Sequence, residues 1–503
     1  MTNTWVLAAA ILGSSMTFID GTAVNVALPL VQADFHASAS DVQWVVEGYA
    51  LLLSSLILIG GSLGDIFGRR LIFMAGVVAF AVASFACAFA TTMPWLIAAR
   101  CVQGAGAALA MPGSLALISA SYTGTERGRA IGTWSGFASI TAAAGPLAGG
   151  LLAQHFSWRY VFLINLPLAA LVVIIALLCV PESRDEGASF TVDWTGALLG
   201  TFGLGLLVYG LIRLQSGRAD AAGVAAAVTG TLALAAFIAC ERRARAPMMP
   251  LRLFRSRAFS AANVYTFFLY AALGGSLYFV PFVLIDVQRY SPSAAGAALL
   301  PFVIIQFALS RWSGGLVARI GPRVPLVAGA VAAAAAFALF ARPGVGGSYW
   351  TTYFPASFVL GIAGALFVAP LTTTVLDAVE REHSGIASGI NNAVARTAGL
   401  LAIAALGIAL SAVFARGFDA RIARTGATPQ TRAIAAADRT KLTAGTVPSD
   451  IPAGDRAKVE SAVRAGFIDG FRVVMLLGSG VSLMAAVVAF AWIPRKIRTP
   501  QRV

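Results

Sequence analysis

The chain has 503 residues, of which 58% are hydrophobic and only 12% are charged, and its mean hydropathy is +0.81. Soluble globular domains are about 25% charged and about half apolar. This composition therefore excludes a soluble enzyme, a disordered chain and a nucleic-acid-binding protein, although the net charge is +14. It is typical of an all-α protein that crosses the bilayer several times. We expect neither a metal nor a cofactor, because the four cysteines lie far apart without metal-ligand spacing.

Apolar stretches long enough to cross the membrane follow one another along the whole chain. A helix needs about 20 mostly apolar residues to cross a hydrocarbon core of about 30 Å. This rule predicts fourteen spans, at roughly 5–30, 42–63, 71–90, 94–120, 130–153, 160–180, 194–212, 221–240, 258–285, 294–318, 324–341, 349–376, 386–414 and 471–492.

The distribution of arginines between the predicted loops gives an orientation. Cytoplasmic loops are enriched in Arg and Lys, and far more of them fall on the inner side if both termini are cytoplasmic. We therefore expect a multi-pass protein of the bacterial cytoplasmic (inner) membrane. The polar connection at about 415–470 is basic yet lies outside, which long loops tolerate. A helical or hairpin cap over the outer mouth and a mobile loop are both compatible with it.

Two segments of the first half recur in the second. Residues 61–70 (GSLGDIFGRR) resemble 314–323 (GGLVARIGPR), and 103–112 (QGAGAALAMP) resemble 361–370 (GIAGALFVAP). Internal repeats of this kind are common in transporters. They predict a six-helix half in residues 1–185, two inserted helices in 186–245 and a second six-helix half in 246–503.

Three ionisable residues fall at one depth in the first half. At about 1.5 Å per residue, Asp20, Glu47 and Arg100 all lie a little outside the midplane. Because charges at this depth are costly and mark ion pathways, we expect Asp20 and Glu47 to share Arg100 as a counter-ion. Burial favours a neutral acid and a nearby arginine favours the carboxylate, so Asp20 is suited to carry a proton. Alternatively, Arg100 snorkels to the outer interface, or Asp20 is its permanent structural partner.

Polar residues in the second half suggest a substrate cavity. Arg396 lies near the midplane of the thirteenth span, Asn391 and Asn392 lie about one turn before it, and Gln306 lies at similar depth in the tenth. Binding sites of transporters lie near the midplane between the repeats. Arg396 would oppose purely cationic compounds unless a carboxylate neutralises it. A salt bridge or a backbone contact between helices is the alternative role for this arginine.

Five segments carry a family resemblance: FIDGTAVNVALP (18–29), GSLGDIFGRR (61–70), RCVQGAGAALAMP (100–112), AAAGPLAGG (142–150) and WRYVFLINLPL (158–168). The chain resembles the major facilitator superfamily, in particular its 14-helix drug:proton antiporter branch. The resemblance implies two six-helix halves with two inserted helices. It also implies that Asp20 and Arg100 occupy the charged positions of the branch, whereas Glu47 stands where the branch often carries a small polar residue.

The resemblance further implies an inner gate after the second span. Its residues are Gly61, Gly64, Asp65, Gly68, Arg69 and Arg70. Glycines there allow close helix approach and a tight turn, and Asp65 would latch onto a helix end or an arginine of the opposite half. The second copy has Ala318 in place of Asp65, which predicts a weaker latch. Arg69 and Arg70 could also serve only to set the topology.

The fifth span carries a small-residue motif that the branch associates with antiport, Gly145, Pro146, Gly149 and Gly150. Glycines let helices pack closely, and a proline removes one helix hydrogen bond and favours a kink. This pattern predicts a hinge and a sealed contact, although ordinary helix packing would need the same glycines.

Together these features predict a secondary active transporter, not an enzyme, that exports small organic compounds or drugs in exchange for protons by alternating access. Its partners would be a small-molecule substrate, protons and the lipid bilayer, with no nucleic acid, and we expect a monomer. A metabolite uniporter or importer of the same fold is the alternative. The sequence contains no P-loop or metal-ligand motif that would favour a membrane enzyme or sensor.

Overall fold

A computed structural model describes residues 2–122, 124–184, 193–214, 220–244, 247, 249–314, 316–379, 384–426, 428–437 and 451–495. These residues contain helices and turns but no strand. The all-α expectation is therefore confirmed for the described part of the chain.

The first half of the chain contains seven helices, α1 to α7. Capping residues explain several of their starts: Ser38 and Asp41 form a reciprocal capping box at α2, and Thr92 caps α4 with Pro94 in its first turn. The bounds are α1 Thr2–Phe35, α2 Ala39–Phe67, α3 Arg69–Ala88, α4 Met93–Ser121, α5 Gly124–His155, α6 Tyr160–Leu163 and α7 Asn165–Cys179.

The remaining helices begin with a pair, α8 Trp194–Leu214 and α9 Ala221–Glu241. A 3-10 turn, Leu251–Arg255, precedes the second half, and a π-helical turn, Val283–Val287, follows α11. The helices are α10 Arg257–Leu277, α11 Val280–Phe282, α12 Pro292–Ala297, α13 Leu300–Gly314, α14 Leu316–Ile320, α15 Arg323–Phe340, α16 Tyr349–Asp377, α17 Ser384–Arg424, α18 Pro429–Ala437 and α19 Ala453–Trp492.

Twelve stretches of the described residues are long and apolar enough to cross a membrane. Each coincides with one of the predicted spans. The other two predicted spans, 42–63 and 130–153, lie within α2 and α5, which have 29 and 32 residues. Both helices have the length to cross the bilayer, but neither is among the twelve stretches. The chain is therefore a multi-pass membrane protein with about twelve apolar helices.

The connection expected at about 415–470 is shorter than its polarity suggested. Helix α17 continues to Arg424, α19 begins at Ala453, and residues 438–450 lie outside the described part. Polarity keeps a segment out of the hydrocarbon but does not prevent a helix. Apolar residues at helical spacing on both extensions are buried in one cluster: Phe414, Phe418, Ile422, Val459, Val463 and Phe467. An ion pair of 2.5 Å between Arg421 and Asp469 joins the same two helices.

The internal repeat is visible in matching contacts. Arg70 Nη1 donates a hydrogen bond of 3.0 Å to the carbonyl of Val180, and Arg323 Nε donates one of 2.7 Å to the carbonyl of Ile493. In each case, the acceptor directly follows a long helix, α7 or α19. Gly68 and Gly321, which align in the repeat, have φ angles of 118° and 76°, a region that favours glycine. Both copies therefore make the same turn and anchor it in the same way.

Helices α8 and α9 pack against each other beside the contact between the halves. Helix α8 touches α2 on one side and α17 on the other. The shared apolar cluster contains Leu51, Leu204, Val208, Ile212, Leu400 and Ala404. The pair encoded between the two repeats therefore contacts both of them. We call the contact between residues 2–179 and residues 251–495 the seam.

The close approach of α3 and α4 gives a stability test. A Cβ at Gly106 would lie 2.6 Å from the backbone nitrogen of Phe80, whereas a Cβ at Gly480 on α19 would meet nothing within 4 Å. Alanine is intrinsically about 1 kcal/mol better than glycine in a helix. We therefore expect Gly106→Ala to lower the midpoint of thermal unfolding and the control Gly480→Ala to leave it unchanged or raise it, as followed by tryptophan fluorescence. Equal midpoints for the two variants would contradict this packing.

Candidate functional site

A buried ion pair lies at the centre of the first half. Asp20 on α1 and Arg100 on α4 are 0% and 1% exposed, and Arg100 Nη1 lies 2.6 Å from Asp20 Oδ2. Two charges removed from water are tolerated only when they are paired and their other polar atoms are hydrogen-bonded. The surroundings of the pair meet this requirement.

Three further polar side chains complete what we call the Asp20 network: Ser84, Gln103 and Asn165. Gln103 accepts a hydrogen bond of 2.6 Å from Arg100 Nη1, and its Nε2 donates to Asp20 Oδ1 at 2.8 Å and to Ser84 Oγ at 2.8 Å. Asn165 Nδ2 donates to Asp20 Oδ1 at 3.2 Å. Both oxygens of Asp20 therefore have donors, which come from α4 and α7.

Arg100 is also fixed by α2. Its Nε donates a hydrogen bond of 2.9 Å to the carbonyl of Val45, and its guanidinium lies 4.2 Å from the centre of the Tyr49 ring. Cation–π contact of this kind is worth about 2 kcal/mol when it is desolvated. Because the side chain is also almost wholly buried, Arg100 does not snorkel to an interface.

Glu47 corrects one expectation about this site. It is fully buried, and within the described part of the chain neither carboxyl oxygen has a hydrogen-bond partner. Val45 and Tyr49, four residues apart, face Arg100 from one side of α2. Residues two apart on a helix point in different directions, so Glu47 points elsewhere and does not share Arg100. The sequence argument considered position along the helix axis but not rotation about that axis.

Sequence reasoning missed Ser84, Gln103 and Asn165. Gln103 could have been found, because it lies three residues after Arg100 and therefore on the same helix face. Asn165 interrupts the apolar part of WRYVFLINLPL and was also available as a signal. Ser84 gave no signal, since a serine in an apolar helix commonly bonds to its own backbone.

The four residues predicted for a substrate cavity have different environments. Asn391 Nδ2 donates to Thr266 Oγ1 at 2.7 Å and to Asn263 Oδ1 at 3.2 Å, which fixes α17 to α10. Asn392 is exposed and bonds to the carbonyl of Ser388 on its own helix. Gln306 packs against α16, where a Cβ on Gly364 would lie 2.6 Å from its Oε1.

Arg396, in contrast, reaches the other half. Its Nη2 lies 3.0 Å from the sulfur of Met111 on α4, and the side chain is partly exposed. Neither the salt bridge nor the backbone contact considered for it is found among the described residues. Arg396 is thus the predicted cavity residue that the structure places in the seam.

At the predicted inner gate, the turn is held by an acid that sequence reasoning missed. Glu182 accepts hydrogen bonds from the backbone nitrogens of Arg70 at 2.9 Å and Leu71 at 3.1 Å, and its carboxylate lies 3.7 Å from Arg70 Nε. An acid at the N-terminus of a helix is stabilised by the unpaired N–H groups there. Glu182 lies two residues after Val180, at the end of the sixth span, and this position was the signal from which its role could have been predicted.

Other gate residues differ in how tightly they pack. Arg69 donates its backbone N–H to the carbonyl of Ser183 at 2.8 Å. A Cβ on Gly61 would meet its nearest neighbour at 3.7 Å and one on Gly64 at 3.9 Å, so these glycines are not needed for close approach. The side chain of Asp65 and that of Ala318 lie outside the described part, so the proposed latch and its weaker second copy remain predictions.

The glycines of the fifth span pack against two partners. A Cβ on Gly149 would lie 2.6 Å from the carbonyl of Ala23, and one on Gly145 would meet the Thr22 hydroxyl, so α5 lies directly on α1. Gly150 faces Pro292, and the carbonyl of Pro146 faces Gly296, so α5 also lies directly on α12. These small residues therefore join α1, which carries Asp20, to the second half.

The ion pair can be tested by a double substitution. Removing one partner of a buried pair leaves an uncompensated charge and costs about 3–5 kcal/mol. We expect Arg100→Met to lower the midpoint of thermal unfolding strongly, and Asp20→Asn in the same chain to recover much of the loss. Additive losses in the double variant would show that the two side chains do not interact.

Comparisons with known proteins identify the family. The Major Facilitator Superfamily model matches residues 10–413. The chain is 33% identical to the tetracenomycin C resistance and export protein of Streptomyces glaucescens, over 96% of this chain and 90% of that protein. It is also 33% identical to the multidrug resistance protein Stp of Mycobacterium tuberculosis, over 98% and 92%.

The fold has solved counterparts. A bacterial homologue of the human lysosomal transporter Spinster, in an inward-facing and unoccupied conformation, superposes with a TM-score of 0.65 at 17% identity and covers 97% of each chain. The fold, the internal repeat and the family match agree. The chain belongs to the Major Facilitator Superfamily, and it is a membrane transporter of small molecules and not an enzyme.

Proposed function

We propose that this protein exports small organic compounds, including antibiotics, in exchange for protons. Its relatives are named for resistance to, and export of, such compounds. They come from bacteria, which supports a place in the cytoplasmic membrane. The excess of arginine in alternate loops supports cytoplasmic termini.

The observation that carries the proton part of the proposal is the Asp20 network. Asp20 is a buried acid whose described partners are all hydrogen-bond donors. Adding a proton to Asp20 cancels its charge and leaves Arg100 as an uncompensated buried cation. The protonated and ionised forms therefore favour different arrangements of α1 and α4. A two-state carrier needs this kind of dependence on protonation.

The packing of α5 connects this acid to the second half. Gly145 and Gly149 contact α1 within three residues of Asp20, and Gly150 and Pro146 contact α12 in the second half. A shift of α1 cannot be absorbed by side chains at these points, because the contacts are made largely by backbone. We infer that α5 moves with α1 and opens or closes the outer side of the seam.

The energy available is sufficient for efflux. One charge moved through 100 mV is worth about 2.3 kcal/mol. At about 1.4 kcal/mol per factor of ten, this supports a gradient of roughly 50-fold for each proton exchanged. Alternating access would use the energy of the proton gradient to drive substrate export, and it needs no cofactor.

Everted membrane vesicles test the exchange. After respiration acidifies the vesicle lumen, addition of tetracenomycin C or another transported antibiotic should discharge the proton gradient, followed by a fluorescent amine dye. We expect Asp20→Asn to abolish this discharge, because the asparagine cannot bind and release a proton. Antibiotic-dependent discharge at the wild-type rate in this variant would remove Asp20 from the mechanism.

A matched control lies on the same helix. Asp34, near the end of α1, is paired with Arg159 at 2.9 Å but is about half exposed. Asp34→Asn should retain proton discharge, since its carboxylate is outside the Asp20 network. Antibiotic flux that proceeds without proton movement in the wild type would instead indicate a uniporter.

A further inference from the structure

Arg396 has unused hydrogen-bond donors in the seam. A guanidinium carries five N–H donors, and the described contact of Arg396 is a single one, to the thioether of Met111. A thioether is a weak acceptor and carries no negative charge. Among the described residues, no carboxylate pairs with this arginine. A partly buried cation is therefore held in a transporter's seam without an anion.

A second donor without a partner lies close by on the opposite half. The hydroxyl of Tyr49 is buried and has no hydrogen-bond partner among the described residues. Tyr49 belongs to the apolar cluster against which Met111 packs, and Met111 is the residue that Arg396 contacts. A buried hydroxyl without a partner costs about 1–3 kcal/mol. The two groups lie on α2 and α17, which pack against each other across the seam. A bound acceptor group would satisfy both.

The neighbouring acids, Asp20 and Glu47, do not neutralise the positive charge of Arg396. Asp20 is bound by Arg100, Gln103 and Asn165. Glu47 lies two residues before Tyr49 on α2 and therefore points away from the side of the helix that carries Tyr49. Neither carboxylate compensates Arg396.

We propose that Arg396 and Tyr49 form an anion-binding subsite for a carboxylate or phenolate group of the transported compound. The substrate class is therefore acidic organic molecules. Arginine binds a carboxylate through two parallel hydrogen bonds, and the tyrosine hydroxyl donates a third. This inference rests on the proposed function, because it assigns the substrate class to the same seam.

The subsite also contacts the Asp20 network. The ring of Tyr49 lies against Arg100. An anion that accepts a hydrogen bond from the Tyr49 hydroxyl therefore restrains the tyrosine side chain that packs on the ion pair. Coupling between two sites is reciprocal. Substrate binding and the proton on Asp20 therefore influence each other through Tyr49.

Two dyes of the same xanthene skeleton and opposite charge test the substrate class. Binding of anionic fluorescein and cationic rhodamine 123 to the purified full-length protein is measured by fluorescence polarisation. We expect fluorescein to bind more tightly. We expect Arg396→Gln to weaken fluorescein binding about tenfold or more, Arg396→Lys to weaken it less, and Tyr49→Phe to weaken it about threefold. Rhodamine 123 binding should not weaken in Arg396→Gln.

The control variant is Arg342→Gln, which removes the same charge from an exposed site and should leave fluorescein binding unchanged. Unaltered thermal unfolding identifies variants that remain folded, and Tyr49→Phe keeps the ring on Arg100. The proposal is overturned by absent fluorescein binding, by wild-type binding in Arg396→Gln, or by preference for rhodamine 123, which would point to Glu47 instead.

The measurement separates this inference from the antiport proposal. Binding in detergent requires no proton gradient. An anion that binds through Arg396 but does not discharge protons in vesicles would sustain the subsite and contradict proton exchange. If a cationic compound discharged protons and this discharge did not depend on Arg396, proton exchange would be supported and the anion subsite contradicted.

Discussion

The ion pair between Asp20 and Arg100 is the constraint on which the rest of the first half depends. It is stable in a dry interior only because Gln103, Asn165 and the carbonyl of Val45 satisfy its remaining atoms. These partners come from α2, α4 and α7, so one charge pair fixes the relative positions of several helices around α1. A change in the protonation of Asp20 therefore affects the packing of the whole half.

Elsewhere, the helices and turns are held by contacts in which at least one partner is backbone. The glycines of α5 bring it onto α1 and α12, and the turns at Gly68 and Gly321 are held by matching hydrogen bonds from Arg70 and Arg323. Close-packed contacts between backbones have few intermediate arrangements. They suit a protein that switches between discrete states and must not leak between them.

The sequence predicted the features that depend on pattern along the chain. Apolar length predicted the twelve stretches found among the described residues, and the repeat aligned Gly68 with Gly321. Rotation about helix axes was harder, which is why Glu47 was assigned to Arg100 when Val45 and Tyr49 face it. Contacts between distant segments depend on tertiary packing: the position of Glu182 after the sixth span was a signal, but spacing alone does not identify the start of α3 as its partner. For the polar segment at about 415–470 the sequence left a helical cap and a mobile loop open, and the apolar stripes buried between the extensions of α17 and α19 favour helix there.

The central claim is that Asp20 exchanges its proton as the transporter changes state. Proton release on binding of a transported compound, measured with a pH-indicator dye in weakly buffered detergent solution, tests it most directly. The account predicts release by the wild-type protein and none by Asp20→Asn, although the variant still binds the compound. Equal proton release by both proteins, or none by the wild type, would contradict it.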